Sequence, residues 1–271
     1  MTWSLRSITT ILLTCLVLIL FATSGCGKKK QVDISPDISS SDEALYKLGE
    51  SAIKKDTEKG LLYLRQLIDA FPKSFYAQRA KLLIADSYFD KNDESNLLLA
   101  AAEYREFIRA YPYSPSAAYC QYQIAMTFYR KILKPGRDQA KTMQALEEFK
   151  RVVSDYPASD QAKAAQEKIK ECEEKIAQHN FLIAKTYHKQ KAYRAALNRL
   201  TEIMSTYPDF SRMDELYFYL GDCHFMMRKY DEALPFFIKV VTDFPNSALI
   251  KKAQNRQKEI ERLKAAVPDK K

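Results

Sequence analysis

Aromatic residues that are directly followed by proline recur along the chain, and they constrain its fold more than any other feature. There are five of them, at Phe71, Tyr111, Tyr156, Tyr207 and Phe244, and the intervals between them are 40, 45, 51 and 37 residues. Proline lacks a backbone N–H and disfavours helical geometry in the residue before it, so each pair is expected to end a helix. Endings that recur in this way predict a series of similar helical units packed side by side.

The last unit, residues 214–247, indicates which kind of unit is repeated. With Pro245 in the terminal proline position, it matches the 34-residue tetratricopeptide pattern at Tyr217, Leu220, Gly221, Ala233 and Phe237. In that pattern two antiparallel helices approach closely at the small residues, and large apolar residues fill the space between successive pairs. The earlier units carry the same framework with insertions. The sequence therefore predicts an all-α tetratricopeptide-repeat superhelix of about five helix-turn-helix repeats.

Composition supports an all-α chain. Only six of the 271 residues are glycine. Of all residues, 46% are hydrophobic and 28% are charged, which is typical of a globular protein and not of a disordered or disulfide-stapled one. The net charge of +9 is modest for this length. Because Lys and Arg alternate with Asp and Glu along the predicted helices, most of this charge is interpreted as ordinary solvated surface.

The N-terminus predicts export and lipidation. Residues 1–25 are interpreted as a lipoprotein signal peptide, because Arg6 precedes an apolar run and small residues lead into Cys26. Cys26 is the predicted lipidation site, and Gly27 after it favours transfer to the outer membrane. Residues 26–41 lack helical periodicity and are predicted to be a flexible tether. Two alternatives stay open: an unmodified thiol after an ordinary cleavage site, and a tether whose lysines contact lipid headgroups.

Departures from the 34-residue unit divide the rest of the chain. A longer turn is predicted at Lys91–Asn96, and an insertion at Leu133–Gln139 separates the two helices of repeat three. Residues 160–188 contain neither Gly nor Pro and predict one long helix. We therefore assign residues 42–157 to repeats one to three, residues 158–266 to the long helix, repeats four and five and a capping helix, and residues 267–271 to a tail.

No pattern in the sequence indicates catalysis or a cofactor. The three histidines show no metal-ligand spacing, and there is no phosphate loop, nucleophile elbow or dinucleotide motif. Cys120, Cys172 and Cys223 fall on predicted helices among apolar residues, which indicates small buried side chains. We therefore predict a protein that is not an enzyme, with no metal, no cofactor and no nucleic-acid partner.

One block of the sequence carries a family resemblance. The stretches RDQAKTMQALEEFKRVVSDYPAS and KIAQHNFLIAKTYHKQKAYRAALNRLTEIMSTYP resemble the BamD family of outer-membrane protein assembly lipoproteins. The resemblance covers nearly all of the mature chain and is most specific over residues 137–208. It implies a lipid-anchored protein on the periplasmic face of the outer membrane. It also implies partners: a BamA-like barrel protein bound through its POTRA domains, other Bam lipoproteins, and unfolded outer-membrane β-barrel proteins.

The resemblance also assigns candidate contact residues. Arg199 occupies the place of an arginine linked to the BamA contact, and Arg137 and Asp138 open the distinctive block of repeat three. The N-terminal repeats are associated with precursor binding, which makes Tyr63, Tyr88 and Tyr104 the candidate substrate contacts, although the repeat pattern by itself favours core packing for such tyrosines. Two other functions stay open: a generic periplasmic repeat scaffold for envelope or division proteins, and a soluble peptide-binding module.

Overall fold

The computed structural model describes residues 41–265. The predicted signal peptide, Cys26, residues 26–40 of the predicted tether and the predicted tail of residues 267–271 lie outside this range. Within it the chain contains eleven α-helices and no strand: α1 (Asp42–Ile53), α2 (Thr57–Ala70), α3 (Phe75–Lys91), α4 (Glu94–Ala110), α5 (Ala117–Tyr129), α6 (Ala140–Asp155), α7 (Asp160–Lys189), α8 (Tyr193–Thr206), α9 (Met213–Met226), α10 (Tyr230–Asp243) and α11 (Ile250–Ala265). The all-α prediction is confirmed.

The helices form five consecutive pairs, each built from two packed helices, and α11 packs on the last pair. The glycines of the framework lie at the close approaches within a pair. A methyl group built on Gly49 would be 2.6 Å from Leu64 Cδ2, and one built on Gly221 would be 2.9 Å from Phe237 Cε1. Both distances are shorter than van der Waals contact, so these two positions require glycine for the helices to pack as they do.

The aromatic–proline pairs build the same turn five times. Each aromatic residue directly follows the last residue of its helix, as the C-cap, and has φ between −134° and −125° and ψ between 52° and 70°. The backbone N–H three residues later donates to the carbonyl of the aromatic residue, at distances of 2.9–3.1 Å. In four of these turns that residue is a serine whose hydroxyl also accepts a bond from a backbone N–H at the start of the next helix or directly before it: Ser74, Ser114, Ser159 and Ser247. Serine is a favoured residue for capping a helix start.

Helix α7 has 30 residues, which corresponds to about 45 Å, and it confirms the predicted long helix. Its first 17 residues contribute Ala165, Cys172 and Ile176 to the core of repeat three. Its C-terminal half contributes Phe181 and Ala184 to the core of repeats four and five. One helix therefore belongs to both halves of the molecule and sets their relative position.

The connections within repeats differ from one another. The longer turn predicted at Lys91–Asn96 is wrong, because α3 and α4 are both extended to 17 residues and only Asn92 and Asp93 separate them. Asn92 takes the left-handed conformation, with φ of 57°, and Asp93 caps α4 by accepting a bond from the backbone N–H of Asn96. In repeat three, residues 130–139 connect α5 and α6, as the insertion predicted.

The three cysteines of the described range are free and buried, as predicted. Burial raises the pKa of Cys172 and of Cys223 to about 12, and it also raises the pKa of Cys120. At neutral pH all three are therefore thiols within the helix packing and not nucleophiles.

Candidate partner-binding surfaces

The first helices of successive repeats pack on one another along one face of the superhelix: α1 on α3, α5 on α7, and α7 on α9. Three of these helices carry a carboxylate at the same place, 15 residues after the aromatic residue that ends the previous repeat. They are Asp86, Glu171 and Asp222. Each carboxylate accepts at least one hydrogen bond from a neighbouring repeat, so this position stabilises the contact between repeats.

Asp86 on α3 is surrounded by tyrosines. Its Oδ1 accepts hydrogen bonds from the hydroxyls of Tyr104, at 2.5 Å, and Tyr119, at 2.8 Å. Burial raises the pKa of Asp86, and the two tyrosine hydroxyls only partly oppose that effect. No cation is paired with this carboxylate among the ion pairs of residues 41–265, so its charge is held by neutral donors alone.

Asp222 on α9 is bound by a histidine and an arginine. His188 at the end of α7 donates from Nε2 to Oδ2 at 2.8 Å, and Arg256 of α11 donates from Nε to Oδ1 at 3.0 Å. Burial alone would raise the pKa of Asp222, but the bond from His188 and the charge of Arg256 outweigh burial and hold this pKa below its usual range. Through this carboxylate, repeat four, repeat five and the capping helix are joined.

Glu171 lies where the two halves of the molecule meet. It accepts hydrogen bonds from the hydroxyl of Tyr129 and from Lys168 Nζ, and the Lys168 ammonium lies 4.6 Å from the centre of the Tyr129 ring. The bond from Tyr129, together with that from Lys168, lowers the pKa of Glu171. A cleft of about 440 Å³ opens beside it, between the end of α5 and the middle of α7, with Lys175 in its wall.

A second and larger cleft, of about 770 Å³, lies between α7 and the turn that follows α8. Glu174 accepts bonds from the backbone N–H and the hydroxyl of Ser211, which fixes the turn against the helix. Tyr207, Pro208 and Phe210 supply the apolar part of its lining. Neither cleft could be predicted from local sequence patterns, because both arise from the offset that α7 creates between the two halves of the molecule. The unusual length of this helix is the signal that could have indicated them.

The inserted loop of residues 130–139 is held in place by polar bonds. Gln139 is buried and donates from Nε2 to the carbonyls of Lys134 and Arg137, at 3.0 Å each. His179 of α7 lies 2.7 Å, through Nδ1, from the carbonyl of Pro135. The side chains of Arg137 and Asp138 are exposed on this loop, and Asp138 caps α6 through the backbone N–H of Ala140.

Arg199 lies on α8 with 43% of its side chain exposed, and it forms an ion pair with Glu202 at 3.2 Å within the same helix. The preceding residue, Asn198, lines a shallow cleft of about 560 Å³ together with Tyr193, Arg194 and Met227. Arg199 is therefore far along the chain from the inserted loop, and the three residues predicted to contact partners divide between two surfaces.

The three tyrosines predicted to contact substrate are not placed alike. Tyr104 is fully buried against Asp86, and Tyr63 is 5% exposed. In this arrangement neither presents a surface to a substrate, since both contribute to the packing of the repeats. Tyr88 is half-buried, and its hydroxyl accepts a bond from Arg65 at 3.4 Å. The contact of Tyr88 with substrate stays a prediction.

Two features are absent from residues 41–265. No group of three or more His, Cys, Asp or Glu side chains is arranged to hold a metal ion. None of the helices in that range is both long and apolar enough to cross a membrane. The same residues do form several clefts, and they carry exposed charged side chains.

Comparison with known proteins decides the family. The model of the YfiO family, described as outer membrane lipoproteins, matches residues 39–229. The chain belongs to this family. A tetratricopeptide repeat model matches residues 215–247 of the YfiO-family chain as well, which confirms the assignment of the last repeat.

Curated relatives of the YfiO-family chain carry the name outer membrane protein assembly factor BamD. The protein of Rickettsia prowazekii is 25% identical over 88% of this chain and 93% of its own length. The protein of Caulobacter vibrioides is 26% identical over 80% and 70%, and that of Pasteurella multocida is 26% identical over 76% and 78%. Among solved structures, the TPR2AB domain of yeast Sti1 in complex with an HSP90 peptide is similar at a TM-score of 0.43, with 12% identity over 83% and 84% of the two chains.

Proposed function

We propose that this protein is a non-enzymatic lipoprotein subunit of the machinery that assembles β-barrel proteins in the outer membrane. The observation that carries the proposal is the match of the YfiO family over residues 39–229, together with relatives named BamD that align along most of their length. In this role the superhelix holds a barrel subunit and an unfolded precursor near one another.

In this proposal, the C-terminal repeats dock the POTRA domains of a BamA-like barrel protein, and Arg199 is a central contact. Its geometry supports the role. The pair with Glu202 is exposed and lies within one helix, and such pairs contribute at most about 1 kcal/mol to folding. Because the guanidinium has no other acceptor among the described residues, it can form a two-pronged bond with a partner carboxylate at little loss to the fold.

The N-terminal repeats receive the unfolded precursor in this proposal, and Tyr88 is the tyrosine that can contact it. An extended peptide can lie along a superhelix with alternate side chains in apolar recesses. Arg137 and Asp138 offer a further contact for a partner, for which other Bam lipoproteins are candidates, because both are exposed on a loop that is fixed from beneath.

Lipidation at Cys26 completes the proposal and places the protein on the periplasmic face of the outer membrane. Two or more acyl chains anchor a protein stably, since each buried methylene contributes about 0.8 kcal/mol. Anchoring raises the local concentration of the repeats at the membrane without any new contact. Labelling cells with palmitate tests this step: wild type should incorporate the label and Cys26→Ala should not.

Affinity purification from solubilised membranes tests the central claim. The wild-type protein should recover a barrel protein with POTRA domains, and Arg199→Glu should recover at least fivefold less of it. Arg109→Glu is the matched control, because Arg109 pairs with Glu106 across the same helical spacing but lies on α4. Recovery of no barrel protein by the wild type contradicts the proposal, and equal recovery by Arg199→Glu removes that residue from the interface.

A further inference from the structure

A small apolar cleft lies between repeats two and three, at the edge where the inserted loop emerges. Its volume is about 170 Å³, which is enough for one large apolar side chain. We call it the Leu98 cleft, and its lining comprises Glu94, Leu97, Leu98, Ala101, Thr127, Phe128, Lys131 and Lys141. Leu98 is 71% exposed, which is unusual for a leucine in a well-packed repeat and leaves an apolar surface in contact with water.

Repeats two and three expose a large apolar side chain at the same place in the repeat. Met143 occupies in repeat three the place that Leu98 has in repeat two, 13 residues before the aromatic–proline turn, and it is 53% exposed. The corresponding residues of the other three repeats are charged: Glu58, Arg194 and Asp231. A face that contacted only water would be expected to carry a charged residue at this place in every repeat. The two apolar residues therefore indicate that repeats two and three contact something that the other repeats do not.

The same edge carries an excess of positive charge. Residues 130–141 contain five basic side chains and a single acid, Asp138. Arg130 stacks 3.6 Å from the centre of the Phe89 ring, and Lys131 donates to the carbonyl of Asn92. The side chains of the remaining three basic residues form no ion pair and no hydrogen bond with another described residue: Lys134, Arg137 and Lys141. Lys141 lies over the Phe128 ring at 5.5 Å, within the cleft lining.

The position of these cations is fixed by the interior of the protein. Gln139 is buried beneath the loop and accepts a bond from Thr142 at 2.7 Å while it donates to two loop carbonyls. His179 holds the loop from the side of α7. A site that is already ordered loses less entropy when it binds a polypeptide. A lipid surface requires no such pocket, so the fixed loop and the concave cleft favour a protein over a membrane.

We propose that the Leu98 cleft binds a segment of a partner protein that carries one large apolar side chain flanked by carboxylates. The apolar side chain fills the cleft between Leu98 and Phe128, and the carboxylates pair with Lys141 and the cations of the loop. Two lysines and one glutamate line the cleft, so its balance of charge favours an acidic segment. This inference does not depend on Arg199 or on the docking of POTRA domains.

The test uses the full-length chain in detergent and a short fluorescein-labelled peptide with a central Leu-Phe pair and two glutamates on each side. Binding is followed by fluorescence anisotropy. Lys141→Glu and Leu98→Ser should each weaken binding roughly five- to tenfold, whereas Lys141→Arg should preserve it. Lys55→Glu, an equal change of charge at an exposed lysine between the two helices of repeat one, is the control and should have no effect.

Two further probes separate the possible occupants. Peptides with serine in place of Leu-Phe, or with lysine in place of glutamate, should bind at least tenfold more weakly. Equal binding of all three peptides, or no binding of any, overturns the proposal. The proposal is also overturned if the chain binds none of the peptides but sediments with phosphatidylglycerol vesicles, and if this sedimentation is lost in the Lys141→Glu and Leu98→Ser variants. A crosslink from a photoreactive residue at position 143 to residues 27–40 of the same chain would also overturn it.

Discussion

His188 donates a hydrogen bond to Asp222 across the junction between the long helix and the last repeat, at 2.8 Å, and the opposite oxygen of the same carboxylate accepts from Arg256 of the capping helix. Three elements far apart in sequence therefore share one acceptor. Because only 9% of the Asp222 side chain is exposed, solvent screens this cluster less than the other ion pairs of the molecule.

Replacing Asp222 by Asn should lower the free energy of unfolding by about 2–3 kcal/mol, because Arg256 loses its buried charged partner and keeps only the more exposed Glu259. Urea unfolding of the full-length chain measures the change, and hydrogen exchange should show α11 opening first. Asp231→Asn is the control, since Asp231 forms an exposed pair with Lys264 and should change stability by less than about 0.5 kcal/mol. An equal loss in both variants would contradict the importance of burial.

Acid should weaken the C-terminal half through the same carboxylate. The pKa of Asp222 is lower in the folded chain than in the unfolded one, so its contribution is complete above the unfolded value near 4 and is lost as the pH falls through the folded pKa. Asp222→Asn should remove this part of the acid dependence. Unfolding followed between pH 3 and 6 measures it, and a variant with the wild-type slope would refute the assignment.

Asp86 should show the opposite dependence on pH. Burial raises its pKa in the folded state, so stability decreases as the pH rises from the unfolded pKa near 4 through the folded pKa. Asp86→Asn keeps an oxygen for the hydroxyls of Tyr104 and Tyr119 and removes the buried charge. The variant should be at least as stable as wild type at pH 7, with a flatter profile below it. A loss of more than about 2 kcal/mol at pH 7 would show that the charge itself stabilises the fold.

Gly221→Ala should destabilise the last repeat. The added methyl group would be 2.9 Å from Phe237 Cε1, and overpacking of this kind costs about 1–3 kcal/mol, of which the better helix propensity of Ala offsets up to about 1. Combining the change with Phe237→Leu should recover part of the loss, because the smaller side chain withdraws from the methyl group. Additive losses in the double variant would mean that the two residues do not contact each other as described.

Arg228→Gly should stabilise the chain by about 0.5–1 kcal/mol. Arg228 has φ of 61°, a conformation that glycine adopts without strain. The neighbouring Lys229 has φ of −94°, so Lys229→Gly gains nothing there and should destabilise by a similar amount. Thermal unfolding of both variants in parallel measures the difference, and an equal response of the two would exclude relief of strain as the cause.

Thiol labelling should distinguish the predicted lipid site from the buried cysteines. At pH 7.5 maleimide should label no cysteine of the folded mature chain. The three described cysteines are buried and have raised pKa values, and in the proposal Cys26 is blocked by its lipid. After denaturation three thiols should react. Four reactive thiols in the denatured mature protein would show that Cys26 is unmodified.

The sequence predicts the repeat architecture well because the signals are local. A proline after an aromatic residue ends a helix whatever its surroundings, so the five turns and their spacing could be read directly. The long helix was predictable for the same reason, since residues 160–188 contain no residue that would break it.

The surfaces were harder to predict because they depend on packing. Tyrosine has an apolar ring and a polar hydroxyl, so the pattern could not show that Tyr104 turns inward to Asp86 while Tyr88 remains half-exposed. The sidedness of charge was also missed. Residues 130–141 contain five basic side chains and one acid in the sequence itself, but only the folding of the loop against α7 shows that these cations share one edge of the molecule.

The length of helix α7 fixes both the distance and the relative rotation between the two halves of the molecule. Each residue of an α-helix advances about 1.5 Å and turns by about 100°, so one residue inserted near its middle would rotate Arg199 and the repeats around it by more than a quarter turn relative to the Leu98 cleft. Seven inserted residues would nearly restore the orientation and separate the two surfaces by about 10 Å. Partners that bind both halves at once are therefore matched to the length of this one helix, and a change in its length requires a compensating change in the partner.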